Sequence, residues 1–540
     1  MEKRLLVAFV LSFAVLYGFR FIYPPPPAPE KAAVETVEKA ETPLAPPVPA
    51  PAGSDEIVVQ AAAATDRVIA NDLYIATISN VGGVLKSFRL KKYPDAAGEP
   101  AELIDPYAGE KIGLPLVFET ADPALDKTLA AAKFVFGDQE GPAKVALEYR
   151  LGGVYAQKTL QFNPTKYLLT ITTKLERNGI AVPHRMVMQG GFGDQSVIPP
   201  NTTLKGAVYQ VPGKFERLAL MSIGDGPAQE LNSAMAGVED QFFLAMFLQA
   251  APGAVKVSKS NFQLPTQPDG KPGAAASAVR VSVSSTGPME MYLGPKLETI
   301  LAEAHPALKT IPNFGWFLFA LLAKPLLVIL NWLFAFIGNY GWSIIVLTIL
   351  VNLALFPLRI RQQLTMQRMQ KMAPQMRTLQ DKYKKLKPGD PKRTEVEKEL
   401  MEINKQQLSG CLPMLLQMPV FFAFLNMMNA AIELRGAPWM LWITDLSKPD
   451  HLFILPILMG AAMFVQMKMS PTSPDPAQAK IMMITPVLVT LLFLWYQSPS
   501  GLTLYWLTGN VIGILQQRVI KEYWTDDSSG KPKRRKPLPA

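Results

Sequence analysis

Cysteine and histidine are nearly absent from this 540-residue chain: Cys411 stands alone, and the three histidines, His184, His305 and His451, lie far apart. No intramolecular disulfide can form, and a lone cysteine reads first as a small buried hydrophobe at a helix start. No Walker loop, His-Glu-x-x-His or Gly-x-Ser-x-Gly is found, so neither an enzyme nor a bound metal or cofactor is expected. Acidic, basic and histidine side chains are also missing from the interior of five apolar runs between residues 342 and 519, and no inverted repeat is visible. Those absences weigh against a secondary solute transporter, which stays the main alternative because polar residues in spans also mark solute paths.

With 49% hydrophobic and 18% charged residues, the chain is more apolar than a typical soluble protein and longer than one domain needs. A soluble part and a membrane part are therefore expected. Lys3 and Arg4 precede an apolar stretch, 5–23, that ends in Pro24-Pro25-Pro26-Pro27 instead of a small-residue cleavage site. Residues 1–23 read as an uncleaved anchor with a cytoplasmic N-terminus, Arg20 snorkelling to the far interface. Ten prolines among Ala, Glu and Lys up to Pro51 make 24–55 an extended linker. From 56 to 300 the pattern changes to short alternating runs, such as Tyr155-Ala156-Gln157-Lys158-Thr159-Leu160-Gln161-Phe162, punctuated by Gly, Pro, Asn and Asp. A large all-β sandwich is the expectation. Such sandwiches often handle sugars, but only His184 falls within this region and no acid–base pair converges, so a structural or docking role is favoured.

The spans follow as 342–358, 412–431, 452–467, 481–496 and 502–519, with the dense basic segment 359–408 between the first two. From Arg359 to Gln407 there are 13 Lys/Arg against 6 Asp/Glu, a local excess within an overall formal charge of +10. Residues 316–337 would also pass for a span. If they crossed, the next run would exit again and place the basic segment outside, against the positive-inside tendency. Residues 312–339 are therefore expected to lie flat on the outer interface, with Lys324 and Asn331, seven apart, on one polar stripe. Both termini come out cytoplasmic, and the basic tail 521–540, with Lys533-Arg534-Arg535-Lys536, agrees. Several runs hold only about 16 apolar residues, roughly 24 Å against a bilayer core of about 30 Å, so local membrane thinning is expected.

In the basic segment Met369, Met372, Met376, Leu379, Tyr383 and Leu386 repeat at spacings of three and four, Lys387-Pro388-Gly389-Asp390-Pro391 breaks the helix, and Val396, Leu400 and Ile403 resume the period. The two arms are expected to zip into an antiparallel coiled coil with basic outer faces. The stripe serves as the hairpin's own core or as a Met-lined binding surface; Arg359, Arg361, Lys384, Lys385 and Lys387 supply cytoplasmic-side charge. Thr348, Asn352, Gln417, Asn426, Asn429, Gln466 and Asn510 are polar residues inside apolar runs. Each costs several kcal/mol in hydrocarbon without a partner, so they read as interhelical glue or as the wall of a wet groove. A span bundle with a large charged hairpin and no catalytic motif suggests a protein that handles other chains in the bilayer.

Asn339-Tyr340-Gly341-Trp342 leading to Phe356-Pro357-Leu358, then the hairpin, Gly410-Cys411-Leu412-Pro413, Gln417-Met418-Pro419-Val420-Phe421 and Pro499-Ser500-Gly501-Leu502 form one ordered signature. So do Ala437-Pro438-Trp439 with Trp442-Ile443-Thr444-Asp445-Leu446, and Lys468-Met469-Ser470-Pro471. The signature resembles the YidC/Oxa/Alb family of membrane protein insertases, in its Gram-negative form with a long periplasmic insert. The resemblance implies a polytopic α-helical membrane protein: an N-terminal anchor, a five-helix core at 340–520, a cytoplasmic helical hairpin and a periplasmic β-supersandwich domain. It implies insertion of newly made membrane proteins into the bacterial inner membrane, alone or beside the Sec translocon. The basic charge of the hairpin and tail is itself the expected contact for ribosomes, targeting factors and the anionic lipid of the bilayer. By position it implies a hydrophilic substrate groove with Thr348 and Trp506 on its wall, and the polar span residues Asn352, Gln417 and Asn510 are expected on the same groove. Where the family usually carries a groove arginine, this sequence has Asn352, so attraction for acidic flanks is expected to be weaker or to come from Arg359 and Arg361.

Overall fold

The structure, a computed structural model, describes residues 58–523 apart from 96, 138–140, 142, 196–204, 266–272, 286, 387–390 and 471–475. The expected anchor, linker and the tail beyond Tyr523 lie outside the described residues. Between them stand a β-rich region and a bundle of apolar helices.

Alternating apolar residues build the β region as antiparallel ladders. Strands Asp66–Ala70, Tyr74–Ser79, Val84–Pro94 and Pro100–Glu102 form one four-stranded sheet; the described residues of the rest join a 13-stranded sheet. The 21-residue strand Phe243–Gln263 organises the larger sheet: its first residues pair with Met289–Pro295 and its last with Ala275–Ser284. Strand Val154–Phe162 turns Val154, Ala156, Leu160 and Phe162 inward and leaves alternate positions less buried, the period-2 pattern of a sheet with one face on a core. Tyr74 anchors that core, stacked on Phe88 at 4.8 Å and tilted on Phe162 at 6.2 Å. Short helices α1 (Pro106–Ile112), α2 (Pro123–Ala131) and α3 (Glu298–Ala304) lie at its margins.

One inward position breaks the apolar rule. Lys158 shares the face of Ala156 and Leu160 and is fully buried. Its ammonium donates to the carbonyls of Leu116 at 2.5 Å, Gly83 at 2.7 Å and Gly82 at 3.3 Å, with the Phe118 ring 4.6 Å away. Three carbonyls and an aromatic face replace its water, yet burial still lowers its pKa to about 7.

The helical part comprises α4 (Phe317–Ile337), α5 (Tyr340–Ala354), α6 (Phe356–Lys385), α7 (Pro391–Ala430), α8 (Ile454–Met469), α9 (Pro476–Tyr496) and α10 (Ser500–Tyr523). Helix α10 packs on α5 and α8, α4 on α5 and α7, and α9 on α8. Asn339 caps α5, accepting from the Trp342 amide at 3.1 Å while its own amide donates to the carbonyls of Pro438 and Trp439. The first span does not run straight to Leu358 as expected. A 55° bend separates α5 from the start of α6, with Pro357 in the first turn beyond the break. The hairpin's return arm and the second span are one continuous helix of 40 residues. The arms pack together, and near the turn the Arg393 guanidinium sits 4.6 Å over the Tyr383 ring. The side chains of Met369, Met372 and Met376 lie outside the described residues.

Helices α5 and α8 have 15 and 16 residues, about 22–24 Å long and shorter than a bilayer core. Helix α4 is long and apolar enough to cross a membrane by length and composition. Its Lys324 reaches Glu298 at 3.2 Å, and its Asn331 reaches Glu433 and the Tyr340 hydroxyl, each at 3.2 Å. The expected polar stripe thus faces α3 and the turn after α7, while Phe317, Leu321, Val328, Trp332 and Phe336 remain exposed.

The β region is docked on that same turn. Arg435 forms an ion pair with Asp194 in which both side chains are about 5% exposed or less, and donates to the Pro94 carbonyl at 2.7 Å. Ile432 belongs to the β region's core, and the Gln241 amide donates to the Asn429 carbonyl.

Candidate functional site

A cavity of about 440 Å³ opens along α10. Its wall follows the stripe Trp506, Gly509, Asn510, Gly513, Gln516, Gln517 and Ile520, and is closed by Asn352 of α5, Arg359 of α6 and Gln466 of α8, among others. Spacings of three and four place those α10 residues on one face, so the cavity extends about 20 Å along the helix and ends at the hairpin base, where Gln362 and Gln363 stand.

Hydrogen bonds tie the wall together. The Asn352 amide donates to the Thr348 carbonyl at 2.7 Å, the Gln516 amide to the Asn352 carbonyl at 3.0 Å, and the Arg359 guanidinium to Gln516 Oε1 at 2.9 Å. Across the cavity the Gln517 amide donates to Ser470 Oγ at 2.8 Å. Three buried atoms have no protein partner: Asn352 Oδ1, Asn510 Nδ2 and Gln517 Oε1. Buried polar atoms seldom stay unpaired, and all three belong to residues that line the cavity. Among the described lining residues Arg359 is the sole charge.

Glycine makes the close approach possible. A Cβ on Gly513 would lie 2.1 Å from the Gln466 amide nitrogen and 3.2 Å from Arg359 Nη1. Trp506 forms the aromatic end, 4.8 Å from Phe421 and 4.9 Å from Phe493, while Tyr505 stacks on Phe424 at 3.8 Å.

The expected residues divide accordingly. Asn352, Trp506, Asn510 and Arg359 meet on this cavity. Thr348 does not line it: the residue is fully buried and its hydroxyl is closed on the Ile344 carbonyl at 2.7 Å, the i−4 bond that satisfies a threonine within its own helix. Arg361 is exposed at the hairpin base, and Lys385 is exposed near the hairpin tip. The side chains of Gln417, Lys384 and Lys387 lie outside the described residues. Asn426 and Asn429 belong elsewhere, at the junction of α7 with the β region. Sequence reasoning missed Gln516, Gln517 and Ser470; the stripe continuing from Trp506 through Asn510 was the signal for the two glutamines.

Fold and cavity define a class: a bundle of apolar helices, two of them shorter than a bilayer core, enclosing a polar groove beside a basic hairpin, with a β domain docked on α7 beyond it. A family model described as 60Kd inner membrane protein matches residues 332–527, and one described as YidC periplasmic domain matches 67–329. The membrane protein insertase YidC of Geotalea daltonii is 32% identical over 97% of this chain and 99% of its own length. That of Oleidesulfovibrio alaskensis is 34% identical over 96% and 98%. A solved structure of an active YidC insertase aligns with 87% of this chain and 95% of its own at 18% identity, with a TM-score of 0.35. On the sequence relatives, the chain belongs to the YidC family of membrane protein insertases.

Proposed function

We propose that the α10 cavity is the path by which the polar flank of a client protein enters the membrane while its apolar helix passes into lipid. The observation that carries this reading is the set of unpartnered buried amide atoms of Asn352, Asn510 and Gln517, three residues that line one cavity. A wet groove of this kind lowers the cost of moving a charged group toward mid-bilayer, about 2.5–3.5 kcal/mol on insertion scales. Helices shorter than the bilayer core reduce the remaining distance by thinning it. In this reading Arg359 supplies the attraction that Asn352 cannot, and the exposed apolar residues of α9, among them Leu488, Leu491 and Leu492, form the surface along which the client helix slides.

The clients are nascent membrane proteins, and the protein inserts and helps fold them in the bacterial inner membrane, alone or with the Sec translocon. The hairpin and basic tail face the cytoplasm, where they meet ribosomes, targeting factors and anionic lipid; the β domain is periplasmic and α4 rests on the outer interface. Lys324, bonded to Glu298 of α3, and Asn331, bonded to Glu433 in the turn on which the β region docks, support that placement of α4. Solute transport draws no support from the relatives, which are insertases by name.

Insertion of a short single-span client into proteoliposomes tests the reading by comparing the unaltered protein with Asn352→Arg and Asn352→Leu. Insertion that Leu abolishes and Arg preserves is the expected result. Full activity of Asn352→Leu would show that groove polarity is not required.

A further inference from the structure

A second cavity, of about 280 Å³, lies where the β region meets α7, and the groove does not use it. Lys205, Arg217 and Lys296 line it, opposed by Glu239 and Asp240. Glu239 is already engaged, by Arg217 at 2.6 Å and Lys296 at 3.1 Å. Asp240 is engaged too: its carboxylate accepts the backbone N–H groups of Asp194, Phe243 and Phe242 at 2.5, 2.6 and 2.8 Å, and burial pushes its pKa up. Three cations against two occupied carboxylates leave the wall with a net positive charge. Lys205, half-buried at the cavity edge, is the cation whose loss disturbs no hydrogen bond of that network.

The opposite wall carries amides from the helical part, Asn313 and Asn426. Gly315 holds φ +81°, and a Cβ there would lie 2.4 Å from the Asn426 amide nitrogen, so the backbone is shaped around that side chain. Immediately after it Trp316 and Phe317, 53% and 69% exposed, begin the uncovered apolar face of α4. Positive charge, amide donors and an adjoining apolar face suit an oxyanion at a lipid–water boundary.

We propose that this cavity binds one phosphate group, with Lys205 supplying the charge and Asn313 and Asn426 the amide donors. Two sources present that chemistry: a phospholipid headgroup whose acyl chains cover α4, and free phosphate. The test uses the full-length protein in detergent. One arm counts phosphatidylglycerol retained by native mass spectrometry; the other titrates delipidated protein with inorganic phosphate by calorimetry. Lys205→Glu is expected to weaken binding roughly tenfold or more, the scale of one charge-assisted contact, while Lys205→Arg retains it. Binding in the lipid arm alone identifies a headgroup site, and equal Lys205 dependence in both arms a site for the free anion. The proposal is overturned if neither arm shows binding, or if Lys205→Glu and Lys205→Gln both bind as the unaltered protein does.

Discussion

Removing Arg359, the one charge among the groove's described residues, should separate clients by the charge of their flanks. The Arg359 guanidinium spends one donor on Gln516 Oε1 at 2.9 Å, and the remaining donors of its planar fork are available to the cavity. A hydrogen bond to a charged partner contributes about 1.5–3 kcal/mol net. Arg359→Gln preserves polarity near Gln516 but loses that term for a client carboxylate, so the insertion rate of an acidic-tailed client should fall roughly ten- to hundredfold. The assay compares two single-span clients in proteoliposomes, identical except for two Asp or two Asn in the translocated tail. The Asn client should insert within about twofold of its original rate. Asn352→Arg added to Arg359→Gln should restore the Asp client, because both residues line the same cavity although a bend separates their helices. Equal losses for both clients would refute the reasoning by showing a structural role; no loss for either would show that no carboxylate meets Arg359.

Other substitutions probe the frame around the groove. Arg435→Ala breaks a buried ion pair and should cost about 3–5 kcal/mol at the docking turn; protease cleavage between the β region and α4 should rise, and Arg435→Ala with Asp194→Ala should recover part of the loss. Gly341→Ala puts a Cβ 2.2–2.6 Å from Trp439 atoms, whereas Gly509 has nothing within 4 Å; the first should lose about 1–3 kcal/mol in melting experiments and the second almost none. Lys158 has a folded pKa of about 7, below the roughly 10.4 of an unfolded lysine. The folded state therefore binds fewer protons, the penalty is full below about pH 7, and it is relieved as pH rises toward about 10. Pulse proteolysis of the full-length protein, mapped to cuts in the β region, should show stability gained between pH 7 and 9, and Lys158→Met should flatten that gain.

Much of this arrangement is written in periodicity. Apolar runs near 16 residues mark α5, α8 and α9, and alternation marks the β strands, because both patterns follow from which face is buried. Boundaries were less legible. The apolar composition of 342–358 continues through the bend at Leu355, and only the chain direction beyond Pro357 distinguishes one span from two helices. Asn426 and Asn429 look like intramembrane polar groups because what packs on them, the backbone at Gly315 and the Gln241 amide, arrives from remote parts of the chain. Thr348 and Asn352 share a helical face, yet the Thr348 hydroxyl satisfies itself within α5 and the Asn352 side-chain oxygen is buried without a protein partner, a difference set by packing. Gln516 and Gln517 follow a polar stripe that ends in basic residues, so they read as an exposed helix end until α5, α6 and α8 close around them. Lys158 occupies an inward position of an alternating strand, a legible irregularity whose carbonyl cage is assembled from distant turns.

The claim that client polar flanks travel in the α10 cavity is tested most directly by disulfide crosslinking to an arrested client carrying one cysteine in its flank, in a Cys411→Ser background. Asn510 is 6% exposed on the cavity wall, while its neighbour Val511 is 45% exposed on the outer side of the same helix. Crosslinks from Asn510→Cys with none from Val511→Cys are the predicted result. Crosslinks from Val511→Cys alone would place the flank outside the groove and contradict the account.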